Sequence, residues 1–369
     1  MRLPLDGVRI LTLAHLYPGP FATMMLADLG ADVIIVEGPS SPDRTRRFTG
    51  HFEALNRNKR AVAIDLKDPA GREDFLRLVS TADVVLEGFR PGVMERLGLA
   101  PLELKKRNER LICVSLSGYG QTGPMAQHAA HDISLQAAAG MLNIPVGQEE
   151  RVGLPPFVMA DLAAANAAAL AITTALLQRE RTGHAAVVDV SMLDSVVAWM
   201  TPALVPEWNG TKPARLPPTD PGYGVFATRD GKQLTLSISG EDHLWKGLCE
   251  VLGLNELALM KEEARIEARN SVQPRLRDAI ARHDAKWLEH HFETYKLPFG
   301  PVRSLKQVPE DPQVAARQLV REFRKPNGEV TRYVRQPLVF DGSFTGVRCP
   351  APALGEHNDE LLARQASSS

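Results

Sequence analysis

Through the first two hundred residues, short apolar runs alternate with stretches of helical periodicity. VRILTL at 8–13, DVIIVE at 32–37, AVAIDL at 61–66, DVVLEGF at 83–89, LICVSLSG at 111–118 and AVVDVSM at 186–192 are nearly continuous hydrophobic runs rich in β-branched residues. That texture predicts strands buried on both faces of a parallel sheet, since a half-exposed strand would alternate. FATMMLADLG and PAGREDFLRLVSTA fill two of the gaps as helices, with Pro18 where a first turn tolerates proline and Gly30 just past a helix end. Repeated βαβ units of this kind build a doubly wound α/β domain. A longer helical pattern, FVMADLAAANAAALAITTALLQRE, is expected to open with Asp161 as its cap.

The pattern changes after residue 200. NGTKPARLPPTDPGYG, rich in Pro and Gly, makes 201–224 a linker or surface loop. RDGK between two β-like runs signals a hairpin, and EDHLWKGLCEVLGL and LRDAIARHDAKWLEHHFETY read as helices. The expected organisation is a large α/β domain at 1–200, the linker, a smaller α+β domain at 225–325, and a tail at 326–369 that returns to the large domain.

Composition narrows the function. The 369 residues carry 43 Lys+Arg against 44 Asp+Glu, so no bulk charge draws in nucleic acid or an anionic membrane. Cys113, Cys249 and Cys349 lie far apart, with no metal-ligand spacing among them, which fits a reducing, cytoplasmic setting and no bound metal. Asp6 and Pro18 come too early for a signal-peptide core, and no run is expected to reach the roughly 20 apolar residues of a membrane span. Neither GxGxxG nor GxxxxGK[ST] occurs after a strand, which removes the main support for nicotinamide and P-loop readings. The basic stretches RTRR (44–47) and NRNKR (56–60) are left as candidates to hold phosphates.

GPFATMMLADLGADVIIVE, LNRNKRAVAIDLKDPAG, GFRPGVMERLGL and VSLSGYGQTGP follow one another at close intervals. With LPPFVMADLAAANAAALAITTALLQRERTGHAAVVDVSMLDS and PFGPVRSLKQVPEDPQVAARQLV, they make nearly the whole chain resemble the class III CoA-transferase family (CaiB/BaiF type), which also contains α-methylacyl-CoA racemases. The resemblance implies a Rossmann-like large domain with a parallel sheet, a smaller α+β domain, and an interlocked homodimer in which each chain threads its partner. It implies acyl-CoA and a small carboxylic acid as substrates, and no permanently bound cofactor. Carried over residue by residue, it places Leu16, Tyr17, Arg46, Phe89 and Arg96 at the CoA site. Gly88 and Gly38 depart from the family pattern, which often has Asn before that Phe and a basic residue or Pro after that Glu.

Asp161 matches the family's catalytic aspartate, the nucleophile of a transferase. In the racemase branch a histidine followed by Asp pairs with that aspartate as acid and base, which points to His131 (in AAHDISLQAAAG) with Asp161 as the alternative acid/base pair and to Glu241 (in SGEDHLW) as a third racemase-like residue. Histidine suits proton transfer because both its forms exist near neutral pH. On residue type alone, His131 is equally a packed pocket wall, and Glu241 a helix-start residue complementing the dipole. Loss of the Asn-Tyr and EPKF elements of the racemase blocks favours transfer over racemisation. Tyr119 and Gln121, in the GYGQTGP loop, are candidates to contact the acyl end. No Gly-rich loop of the oxalate transferases is found in the small domain, so formyl-CoA:oxalate exchange is not expected.

Overall fold

Six of the apolar runs form one parallel sheet. In chain order β1 (Arg9–Leu13) leads through α1 (Pro18–Asp28) to β2 (Asp32–Glu37), and α2 (Thr49–Asn56) leads to β3 (Lys59–Ala63). Then α3 (Pro69–Val79) precedes β4 (Val84–Glu87), α4 (Val93–Arg96) and α5 (Pro101–Arg107) precede β5 (Ile112–Ser117), and α6 (Asp132–Ala138) and α7 (Met159–Thr182) precede β6 (Val187–Ser191). The strand order is β3-β2-β1-β4-β5-β6, with Leu11 opposite Ile34 on one side and Val85 on the other. The computed structural model from which this is read describes residues 2–143, 157–211, 219–325 and 327–363.

The interior strands read as continuous apolar runs because both faces are covered; β6, at the sheet's edge, departs from that expectation, with Val187 56 % exposed. Leu11, Ile34, Val62 and Val85 share a core with Phe75 and Leu78 of α3. Full burial of each such side chain is worth roughly 1.5–3 kcal/mol. The exposed edge of β3 is closed by the chain's C-terminal region: His357 donates its N–H to Ala61 O at 3.0 Å, and Asn358 Oδ1 accepts from Ala63 N at 2.9 Å. Covering an edge this way blocks pairing with a foreign strand.

Helix α7 has 24 residues, and by length and composition alone it is long and apolar enough to cross a membrane. This differs from the sequence expectation, because alanines raise the mean without forming an unbroken run of large apolar residues. Its buried face includes Ala160, Ala163, Ala164, Ala168 and Ala175, small side chains that let α1, α6 and β5 approach closely. α8 (Met192–Trp199) follows β6, its start capped by Ser191, whose Oγ accepts from Asp194 N at 3.1 Å.

The chain divides into two compact units: Met1–Met141, Leu154–Met200 and Pro312–Ser369 form one, and Leu142–Gly153 with Thr201–Asp311 the other. The longer segment of the second opens with α9 (Thr201–Trp208), a helix where the Pro- and Gly-rich texture predicted a linker; residues 212–218 of that linker lie outside the described residues. Its hairpin of β7 (Tyr223–Ala227) and β8 (Gln233–Ser237) turns at the RDGK signal, with Gly231 at φ 74°, and β9 (Phe299–Pro301) adds antiparallel to β8. Helices α10 (Asp242–Leu252), α11 (Glu262–Glu267), α12 (Arg269–Ile280) and α13 (Ala285–Thr294) pack around Trp245, whose indole N–H reaches Leu257 O at 2.7 Å. The long helical pattern at 275–295 is broken between α12 and α13, where Asp284 turns extended and binds Arg229. In the first unit, Val320–Arg324 and Val330–Val334 form a separate antiparallel hairpin.

Candidate active site

Neighbouring β1 and β4 send their connections in opposite directions, one towards β2 and one towards β5, which opens a crevice at their carboxyl ends. The loop after β1 enters it. Leu16 is 43 % exposed and holds φ 70°, a conformation that costs a non-glycine residue about 1–3 kcal/mol. Its N–H is fixed by Asp43 Oδ2 at 3.0 Å, and Asp43 is itself buried and bonded to the Thr45 N–H and hydroxyl. Tyr17 follows, stacked on Phe21 and tilted against His51. Gly19 lets this loop close on α1, since a Cβ there would lie 2.3 Å from that of Ala14. Across the crevice, Gly88 answers the same need: its Cβ would sit 3.1 Å from Ala14.

Beside the loop lies a cleft of about 650 Å³ lined by His15, Leu16, Arg44, Arg46 and Arg47. Arg46 does not offer its guanidinium freely here. Its Nε and Nη2 bind both oxygens of the buried Glu37 at 2.8 and 2.5 Å, Nη1 binds Pro352 O at 3.0 Å, and the group lies over the Phe52 ring. The expected phosphate contact is therefore a brace between β2 and the C-terminal region, and the exposed cations of that turn are Arg44 and Arg47. NRNKR is corrected in the same way. Arg57 forms a buried pair with Asp28 at 2.7 Å, Asn58 joins that carboxylate, and Lys59 is buried with Nζ bonded to Pro20 O and Asn56 Oδ1. Burial holds the Lys59 ammonium well below its ordinary pKa. These cations tie α1 to β3, their charges taken up by partners inside the protein.

On the β4 side, Glu87 is buried and accepts the Phe89 N–H at 2.7 Å; burial raises its pKa. Phe89 packs partly into the sheet core, and Arg96 on α4 is exposed. Gln121 gives its N–H to Asp189 Oδ2 at 2.8 Å, beside a half-buried Tyr119. Their loop lies against the AAHD stretch, because a Cβ on Gly118 would come within 2.7 Å of Ala130.

That stretch forms the start of α6, and it meets the start of α7. Asp161 is the third residue of α7 and not its cap, a position held by Val158. The capping carboxylate comes instead from Asp132, whose Oδ1 accepts the N–H groups of Ala160 at 2.7 Å and Asp161 at 3.2 Å. Gln136 Nε2 holds the other oxygen of Asp132 at 2.5 Å. Burial, and then the charge of Asp132, push the Asp161 carboxyl up to about 7. Tyr17 faces it: burial and then the Asp161 charge raise the phenol. His131 caps α6 with its backbone N–H on Ser134 Oγ at 3.1 Å and its imidazole exposed; no hydrogen bond joins it to Asp161. In the other unit, Glu241 precedes α10 and accepts the Ser239 N–H at 2.7 Å. Among the described residues no three His, Cys, Asp or Glu side chains gather to hold a metal.

The roles of Asp132 and Gln136 were missed in the sequence. The one local signal was their i, i+4 spacing on a short helix. The arrangement as a whole presents a half-buried carboxylate, basic for its type, in the first turn of a helix whose Ala160 and Asp161 N–H groups are taken by Asp132.

Comparison with known proteins bears on this site. Residues 5–358 match the model of CoA-transferase family III. The chain is 34 % identical to the succinate–glutarate CoA-transferase of Agrobacterium fabrum, over 98 % of this chain and 95 % of that one. It is 37 % identical to the acetyl-CoA:oxalate CoA-transferase of Acetobacter aceti, over 86 % and 85 %. A crystal structure of a CaiB/BaiF family protein from Brucella suis superposes with a TM-score of 0.85 at 29 % identity, covering 97 % of this chain and 98 % of that one. The chain belongs to CoA-transferase family III and is an enzyme of the CoA-transferase type.

Proposed function

We propose that this protein moves CoA between carboxylic acids through a covalent aspartyl-CoA thioester on Asp161. The observation that carries the proposal is the placement of Asp161: half-buried in the first turn of α7, facing Tyr17 of the crevice loop, with its carboxyl pushed up to about 7. Its carboxylate attacks the acyl carbon of the donor thioester, the C–S bond breaks, and a mixed anhydride and CoA thiolate result. The thiolate then attacks the aspartyl carbonyl and expels the donor carboxylate, leaving aspartyl-CoA. The acceptor carboxylate attacks that thioester, and the released thiolate takes the acceptor's acyl group and frees Asp161. No step needs a net proton transfer or a cofactor beyond the CoA substrate. Covalent catalysis by so weak a nucleophile works because thiolate leaves readily and the half-buried site limits water.

CoA is assigned to the crevice and its cleft, with Leu16, Tyr17, Phe89 and Arg96 along it and Arg44 and Arg47 near the phosphates. Tyr119 and Gln121 border the acyl end. Relatives named for succinate, glutarate and oxalate support dicarboxylic acids as donor and acceptor. The exposed apolar residues Leu170 and Leu177 on α7 and Trp199 on α8 support a homodimer, taken here as interlocked. The free thiols Cys113, Cys249 and Cys349 support a cytoplasmic setting.

The test is exchange of label from succinyl-CoA to glutarate, run beside a 2-methylacyl-CoA in deuterated water without an acceptor. Glutaryl-CoA formation without α-deuterium uptake supports transfer. Rapid α-deuterium uptake with no CoA migration would establish racemisation by His131 and Asp161 instead.

A further inference from the structure

Asp132 lies 28 residues before the helix end it closes, and its side chain does more than a local cap would. One oxygen takes two of the free N–H groups in the first turn of α7, and the other is held by Gln136, a fully buried amide. Gln136 Oε1 is buried without a partner, so this amide is turned to serve the Asp132 anion at the expense of its own acceptor. Resting on the reading of Asp161 as nucleophile, we propose that Asp132 is a positioning residue. It anchors the turn that carries Asp161, and its fixed negative charge raises the energy of the ionised nucleophile.

Two physical consequences favour acylation. The N–H groups that would otherwise stabilise the Asp161 carboxylate are spent on Asp132. When Asp161 is acylated it loses its charge, so the repulsion from Asp132 disappears as the anhydride and thioester form. Among the described residues, the other groups packed around this turn do not replace it. Tyr17, before α1, is the titratable group among the described residues, besides Asp132, that couples to Asp161. On α8, Asp194 is bound to Ser191, and Asp28 at the end of α1 is bound to Arg57 and Asn58. His131, next to Asp132, keeps its imidazole exposed.

The substitution Asp132→Asn separates anchoring from charge. Asn Oδ1 can still accept the helix N–H groups, and its amide can donate to Gln136 Oε1 once that amide rotates. Asp132→Ala removes both functions. The experiment titrates Asp161 in full-length protein carrying ¹³C-labelled aspartate carboxyls, assigned by difference from Asp161→Asn, with no substrate present. The midpoint is expected to fall by about one pH unit in Asp132→Asn, staying above an ordinary aspartate because burial is the larger cause. Thermal unfolding is expected to rank Asp132→Asn near the wild type and Asp132→Ala below both. An unmoved midpoint in Asp132→Asn overturns the charge role, and equal destabilisation by Asn and Ala overturns the anchoring role. Should the Ala protein fail to fold, the Asn midpoint decides alone. Because no CoA ester is used, absence of CoA transfer would count against the nucleophile assignment and leave this result standing.

Discussion

The carboxylate of Asp132 closes the helix that carries Asp161: its Oδ1 lies 2.7 Å from Ala160 N and 3.2 Å from Asp161 N. Two acidic residues from different helices thus share one helix start, and the charge of the first, after burial, lifts the proton affinity of the second. Such an arrangement raises the cost of leaving Asp161 ionised and unreacted.

That cost gives a signed prediction for stability. In the fold Asp161 keeps its proton up to about pH 7, whereas in the unfolded chain it loses it near pH 4. The folded state binds more protons between these values, so the stability this group contributes below about pH 4 is lost as pH rises through 7. Full conversion would give about 4 kcal/mol, and solvent screening of a half-buried carboxyl trims this. Asp161→Asn should match the wild type in Tm near pH 4, exceed it at pH 8, and lose at least about a thousandfold in transfer rate. Thermal melts across pH with a parallel exchange assay check both halves.

His131→Ala should retain at least about a tenth of the transfer rate, since the imidazole is exposed and makes no bond to Asp161. Steady-state rates of CoA exchange measure this directly. A fall to the level of Asp161→Asn would return His131 to the chemistry.

Arg46 and its neighbours should separate stability from binding. Arg46→Ala leaves the buried Glu37 carboxylate unpaired and should cost about 3–5 kcal/mol in denaturant unfolding. Arg44→Ala and Arg47→Ala, both exposed, should change stability by about 0.5 kcal/mol or less while raising KM for acyl-CoA several-fold.

Gly19→Ala should act on the crevice loop. A methyl group 2.3 Å from the Ala14 Cβ must displace the loop or α1, at about 1–3 kcal/mol. Urea unfolding and KM for acyl-CoA should both respond, because the same loop carries Leu16 and Tyr17.

The sheet was legible because its strands are buried on both faces: VRILTL or DVIIVE can be little else once helical length is excluded. Asp161 was legible through resemblance, and its neighbourhood was not. A capping argument sees only residues within one turn, so Asp161 was read as its own cap while the capping carboxylate stands 29 residues upstream in α6. NRNKR looked like a phosphate site for the same reason: its neutralising partner, Asp28, lies at the end of α1, 29 residues before Arg57. Arg46 is likewise claimed by Glu37 and by a carbonyl 306 residues away. Long-range ion pairing decides which cations remain for a ligand, and a single chain's spacing does not contain it.

The central claim, a covalent aspartyl-CoA thioester, is tested most directly by mass spectrometry of protein incubated with succinyl-CoA alone and quenched in acid. CoA bound through a thioester to the peptide containing Asp161, converted by hydroxylamine to the hydroxamate and missing in Asp161→Asn, is the predicted result. Unmodified Asp161 under conditions where CoA exchange proceeds would contradict it.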